Sequence, residues 1–150
     1  AVLDRSYQLN VGGNTDFLNM MDHNRLLSKR ESKTEAVQSV LESRLSDDNV
    51  RIGPSDYVPW LNDQKVGYVR LEGRLLGGVP MNMEVRLSVE DSPNAAAMAM
   101  SAIRCAKIAL DRKLSGAIWE ASAFLFKHPP RQVQDDEGQR LIVDFAEGRL

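Results

Sequence analysis

Four lysines in this chain each stand beside an acid, an amide or a proline turn. They are Lys29 and Lys33 in Ser28-Lys29-Arg30-Glu31-Ser32-Lys33, Lys65 in Asn62-Asp63-Gln64-Lys65, and Lys127 in Phe126-Lys127-His128-Pro129-Pro130. Two polar clusters, Asn10-Val11-Gly12-Gly13-Asn14-Thr15-Asp16 and Val89-Glu90-Asp91-Ser92-Pro93-Asn94, interrupt apolar runs where a plain core would continue. Ammonium groups brought together can hold an anion and stabilise the oxygen of an enolate or alkoxide. Where crowding or desolvation lowers a pKa, they also exchange protons near neutral pH. Each feature has a plainer reading beside this one. Lys29 and Lys33, four apart, face one way on a helical turn, yet the same residues describe an exposed basic loop feeding a helix. Asp91 and Ser92 fall at a strand-to-helix junction, where a cap alone contributes about 1 kcal/mol. Asn10, Asn14 and Asp16 have the residue types of turns, and Asp63 suits a turn that orients Lys65. His23 and His128 are too scattered for the usual zinc-ligand spacing, and no Gly-x-Ser-x-Gly or base for Cys105 suggests a covalent nucleophile.

Several elements must position these groups. Residues 9–11 read as a strand broken by Gly12-Gly13-Asn14, which tolerate positive φ. Phe17, Leu18, Met20, Met21, Leu26 and Leu27 recur at near-helical spacing, which predicts a helix over 17–27 with Asp16 as its cap. Ser32-Lys33-Thr34-Glu35 has the capping-box form, so a second helix is expected to start near Lys33 or Thr34 and to reach Leu45. Strand signals follow over 50–54, 56–58, 65–75 and 81–89; the last run alternates Met81, Met83, Val85, Leu87 and Val89 with polar residues. It is the expected hairpin partner of the run that begins at Lys65. Ser92-Pro93 opens a long helix over 95–110, with Met98, Ala102, Cys105 and Ala109 as its packing stripe. A short helix over 121–126 and a polar helix or tail over 135–150 complete the chain. The expected fold is α+β: a mainly antiparallel sheet with helices on one face. Apolar strand surface at Tyr68, Leu71, Leu75, Met81 and Met83 exceeds what two helices need to cover, and predicts a contact between identical subunits.

At 150 residues the chain can bury a real core. With 19 basic and 21 acidic residues it presents no global field for nucleic acid or an anionic membrane, so any phosphate must be met by a local cluster. The single cysteine, Cys105, lies in an apolar helical pattern and suits a reducing compartment. No apolar run approaches the ~20 residues of a membrane span and no signal segment opens the sequence, which makes the cytoplasm the expected location.

In order and spacing the polar segments resemble the myo-inositol-1-phosphate synthase (inositol-3-phosphate synthase) family. That family carries a Gly-Asn-x-Asp loop, Ser-Lys-x-x-Ser-Lys, Asp-x-Lys, Glu-Asp-Ser and a Lys shortly before prolines, and all five occur here in that order between Asn10 and Pro130. Thr15 and Phe17 depart from the Asn and Gly usual around the Asp, and Val89 replaces the usual Cys. Short spacings between the blocks favour the bacterial and archaeal branch.

The resemblance implies conversion of glucose 6-phosphate to myo-inositol phosphate by NAD-dependent oxidation, enolisation, intramolecular aldol cyclisation and reduction. It implies Lys29, Lys33, Lys65 and Lys127 as catalytic residues, with Lys29 and Lys127 at the C5 oxygen and its proton. Lys33 and Lys65 then fall to the phosphate and the C1 carbonyl oxygen, with Asn10 as a further substrate contact. Asn14, Asp16, Asp91 and Ser92 would meet the cofactor, and Asp91 and Ser92 would hold any divalent or monovalent cation. No G-x-G-x-x-G is present. The chain is therefore expected to be a piece of the enzyme: residues 1–130 the catalytic and oligomerisation domain, like the C-terminal domain of glyceraldehyde-3-phosphate dehydrogenases, and 131–150 a tail returning to a Rossmann NAD-binding domain. A homotetramer is implied. Two other readings remain: a non-catalytic assembly module with the lysines scattered outside, and the substrate domain of another NAD(P)-dependent oxidoreductase.

Overall fold

The strand β1 (Val2–Gly12) is far longer than the 9–11 segment expected. Its buried positions include Ser6 and Asn10, while the apolar Tyr7 and Leu9 are exposed. The usual apolar-in alternation is inverted, and that hides the strand from a hydrophobicity pattern. A computed structural model describes all 150 residues, the side chains of His23 and Asn24 excepted, so the reading of His23 lies outside the described residues. The chain forms two compact units, Ala1–Ser92 and Pro93–Leu150.

In the first unit, β2 (Val50–Tyr57), β3 (Gln64–Arg74) and β4 (Pro80–Glu90) join β1 in a four-stranded sheet of order β2-β1-β3-β4. The β3–β4 hairpin is antiparallel as expected, with Val69 opposite Val85 and Lys65 opposite Val89. β1 runs antiparallel to β3 but parallel to β2. The sheet is therefore mixed, which corrects the mainly antiparallel expectation: β2 follows a helical crossover, and such a crossover returns the chain parallel. A register shift sets Gly53 at φ 102°, a backbone that favours glycine.

Two helices lie between β1 and β2. The short α1 (Thr15–Asn19) is capped by Asn14 rather than Asp16: the Asn14 side chain accepts from the backbone N–H groups of Asp16 and Phe17 at 3.0 and 3.3 Å. A single helix, α2 (His23–Gln38), replaces the expected break near Ser32. The capping box does not form, because Ser32 Oγ donates back to the Lys29 carbonyl and Glu35 is engaged by the Arg44 guanidinium. The helix stops at Gln38, not Leu45. The buried Gln38 amide exchanges two 2.9 Å hydrogen bonds with the Leu45 backbone and turns the chain out of the helix.

Gly12 and Gly13 serve close approach rather than positive φ. A Cβ on Gly12 would meet the Phe17 ring at 2.4 Å, and one on Gly13 would meet the Asn62 backbone nitrogen at the same distance. Without these side chains Phe17 packs down and the turn before β3 comes up against the loop that carries Asn14.

In the second unit, α3 (Asp91–Asp111), whose first residues belong to the first unit, is joined by α4 (Trp119–Leu125) and α5 (Asp135–Glu147). Cys105, Ala109, Ala121 and Phe145 form its buried centre, and burial pushes the Cys105 thiol up, as expected for a packing residue rather than a nucleophile. The Arg112 guanidinium caps the end of α5 by donating to the carbonyls of Phe145 and Ala146. Among the described residues no helix is long and apolar enough to cross a membrane.

Candidate active site

The polar segments of the first unit meet at one end of its sheet. Asn14 is their hub. Its Oδ1 caps α1, and its Nδ2 donates to Asp63 Oδ1 at 3.3 Å and to Asp91 Oδ2 at 3.1 Å. Two carboxylates on one side and two backbone N–H donors on the other fix the orientation of this amide. Asp91 Oδ1 accepts from Lys65 Nζ at 3.1 Å, both groups being half-buried. Lys65 is the second residue of β3 and Asp91 follows β4, so the antiparallel register of that hairpin brings them together.

Asp63 turns its carboxylate to Ser92, accepting from the backbone N–H at 3.0 Å and from the hydroxyl at 2.7 Å. Those bonds, the hydroxyl above all and then the Ser92 N–H and the Asn14 amide, hold the Asp63 carboxyl below the usual carboxylate range against the opposing effect of burial. The expectation that Asp63 orients Lys65 directly is corrected, since Lys65 pairs with Asp91. This linking role was missed because its partners lie 29 and 49 residues away. The one local signal was the Asp-x-Lys spacing, which puts Asp63 and Lys65 on one side of an extended segment.

Asp16, in the first turn of α1, forms an ion pair with Lys29 on α2. Lys33 sits one turn further along the same helix, and its stem lies over Gly53, where a Cβ would come within 3.3 Å of Lys33 Cδ. Asn10 is buried on β1 opposite Gly67, and its Oδ1 has no hydrogen-bond partner. Lys127 lies in the second unit, exposed just beyond α4.

The arrangement therefore gathers Asn14, Asp16, Lys29, Asp63, Lys65, Asp91 and Ser92 into one bonded chain. Its ammonium groups are held by single carboxylates that an anionic ligand can displace. The oxygens of Asp91 are taken by Lys65 and Asn14, and the Ser92 hydroxyl is bonded to Asp63. This donor set suits an ammonium group better than a metal ion. No group of three or more His, Cys, Asp or Glu side chains among the described residues is placed to hold one.

An α+β sheet carrying this lysine and carboxylate set defines the class. Residues 1–92 match the sequence model of the family described as myo-inositol-1-phosphate synthase, and the chain belongs to that family. It is 55% identical over 150 residues to inositol-3-phosphate synthase of Mycolicibacterium smegmatis, covering 97% of this chain and 41% of that protein. The Corynebacterium glutamicum inositol-3-phosphate synthase is 53% identical over 148 residues, with 95% and 41% covered. A solved myo-inositol-1-phosphate synthase-related protein of Thermotoga maritima superimposes with a TM-score of 0.85 at 26% identity, over 97% of this chain and 38% of that one. The chain thus spans about two fifths of the length of its relatives.

Proposed function

We propose that this chain supplies the catalytic lysines of an inositol-3-phosphate synthase, which converts glucose 6-phosphate to myo-inositol phosphate. The observation that carries this reading is the bonded chain from Lys29 through Asp16, Asn14 and Asp91 to Lys65, built from three of the family-like sequence blocks and part of a fourth. Surface lysines of an assembly module have no reason to be tied together through a half-buried amide.

On this reading Lys33 and Lys65 hold the phosphate dianion and the C1 carbonyl oxygen, while Lys29 and Lys127 serve the C5 oxygen and its proton. The substrate competes with Asp16 and Asp91 for two of these ammonium groups. Binding then converts ion pairs within the protein into contacts with the reacting oxygens, where donors aimed at developing charge lower the barrier. Asn10, whose buried amide oxygen is unpaired, orients a substrate hydroxyl through the adjoining side chains. NAD, when bound, supplies reversible hydride exchange with the sugar. The acceptors of Asp91 and Ser92, with Asn14 and Asp16 beside them, fit the carboxamide end of that cofactor.

A Rossmann domain of the same enzyme is the source of the pyrophosphate site. Residues 1–130 form the catalytic and oligomerisation part, of the glyceraldehyde-3-phosphate dehydrogenase C-terminal kind, and residues 131–150 return to the NAD-binding part. The exposed Met83, Val85 and Leu87 on β4 favour burial against another subunit in a homotetramer.

The test is turnover of glucose 6-phosphate with NAD by the complete enzyme and by Lys29→Ala, Lys33→Ala, Lys65→Ala and Lys127→Ala. Each variant is expected to lose at least about 100-fold in kcat/KM with little change in melting temperature, because these side chains contribute little to the core. Wild-type turnover unaffected by all four changes contradicts the proposal.

A further inference from the structure

We infer that Asp63 is a positioning residue of this site, which acts by fixing the single proton of the Ser92 hydroxyl. The inference rests on the synthase reading above and deepens it. A carboxylate only accepts hydrogen bonds. At 2.7 Å from Asp63 Oδ1, the Ser92 hydroxyl must therefore be the donor, and its proton is committed to Asp63. What Ser92 Oγ offers to anything bound in front of it is a lone pair. The same carboxylate takes the Ser92 backbone N–H at 3.0 Å on its other oxygen, so the residue is gripped at two points and the hydroxyl rotor is locked.

Asp63 also takes one proton of Asn14 Nδ2, whose other proton goes to Asp91. Both donor hydrogens of that amide are thereby used. Asp91 is left to face Lys65, and Asn14 cannot turn over without placing its oxygen against two carboxylates. One carboxylate thus sets the polarity of the site: Ser92 presents an acceptor, Asn14 presents no free donor, and the ligand group that meets Ser92 must bring an N–H or O–H of its own. Asp63 touches none of the reacting atoms in this scheme. It works through Ser92.

Asp63→Asn keeps the shape and removes the compulsion. The new amide has an oxygen for the Ser92 N–H, but its NH2 then faces the Ser92 hydroxyl, which is free to reverse its proton, and it meets the Asn14 NH2 donor to donor. In the complete enzyme, with glucose 6-phosphate and NAD as the probes, Asp63→Asn is expected to lower kcat roughly 10- to 100-fold, the scale of a lost hydrogen bond to a charged group. The KM for glucose 6-phosphate should stay within about 3-fold, since Asp63 bonds Ser92 and Asn14 and no lysine proposed for the phosphate is among these partners. Because Asp63 acts chiefly through Ser92, the losses in the double variant with Ser92→Ala should fall well short of multiplying. A second measurement needs no turnover. Hydrogen exchange at the Ser92 backbone N–H should be slow in the wild type and at least about 10-fold faster in Asp63→Ala. Wild-type kcat in Asp63→Asn, multiplying losses in the double variant, or unchanged Ser92 exchange in Asp63→Ala would each overturn the inference. A wild-type enzyme that does not turn over glucose 6-phosphate fails the synthase reading instead and leaves the exchange measurement to decide on Asp63.

Discussion

The two ends of β1 are held by different cations. Near Val2, Arg74 forks onto Asp4 with contacts of 2.9 and 2.7 Å, and Arg70, opposite Tyr7 in the middle of the sheet, bridges Glu72 and Glu84. Near Gly12, the cations are Lys29 and Lys65, each on a single carboxylate. A guanidinium presents a planar fork that matches a carboxylate and stays where it is placed, whereas an ammonium is a compact point charge on a flexible stem. Static arginine pairs thus occupy the Val2 end and the middle of the sheet, and lysines on single carboxylates occupy the end with the amide network. On the proposed reading, this difference is what lets the lysines exchange partners while the arginines hold the strands.

Reciprocal substitutions test this contrast most strongly. Lys65→Arg keeps the charge and can form a forked pair with Asp91 that does not release. In the complete enzyme it is expected to lower kcat/KM for glucose 6-phosphate at least about 100-fold while leaving the melting temperature unchanged or slightly raised. Arg74→Lys, at the other end, should leave kcat/KM within about 2-fold. Equal effects on turnover would erase the distinction between the two ends.

A smaller effect separates the two ends by pH and salt. Arg74's hydrogen bonds and charge hold the Asp4 carboxyl below its ordinary value, while Asp63 is lowered mainly by the uncharged donors of Ser92. A carboxyl depressed in the folded state contributes stability that is present above its unfolded value, about 3.9, and lost as pH falls through the folded value. The difference in denaturation midpoint between wild type and Asp4→Asn should therefore be constant above about pH 5 and vanish below the usual carboxylate range. Added salt should shrink it at neutral pH, because exposed ion pairs are screened. For Asp63→Asn the pH trend should have the same sign with less salt dependence. An Asp4 effect that grows as pH falls would contradict the assignment.

The parts that the sequence discloses are those whose signal is local. β4 alternates over nine residues with one apolar side, and α3 is a run of good helix formers behind a serine and a proline, so both were legible. β1 was not, because Ser6 and Asn10 occupy its buried positions. The end of α2 was not, because it depends on Gln38 reaching Leu45. In the site, the residue types of the four blocks that meet there were visible from their order. Which lysine pairs with which acid was not, since Lys65 and Asp91 meet only through the hairpin register and Asp16 meets Lys29 only after Asn14 caps a helix.

On the proposed function, the lysines serve one substrate. The most direct measurement is a structure of the complete enzyme with NAD and a non-reacting analogue of glucose 6-phosphate. If the proposed function holds, the ammonium groups of Lys29, Lys33, Lys65 and Lys127 will lie within hydrogen-bond reach of the analogue's oxygens, with Lys65 drawn off Asp91 and Asp63 still bonded to Ser92. Four lysines pointing to separate solvent faces, with the analogue bound elsewhere, would contradict it and leave the chain as an assembly module.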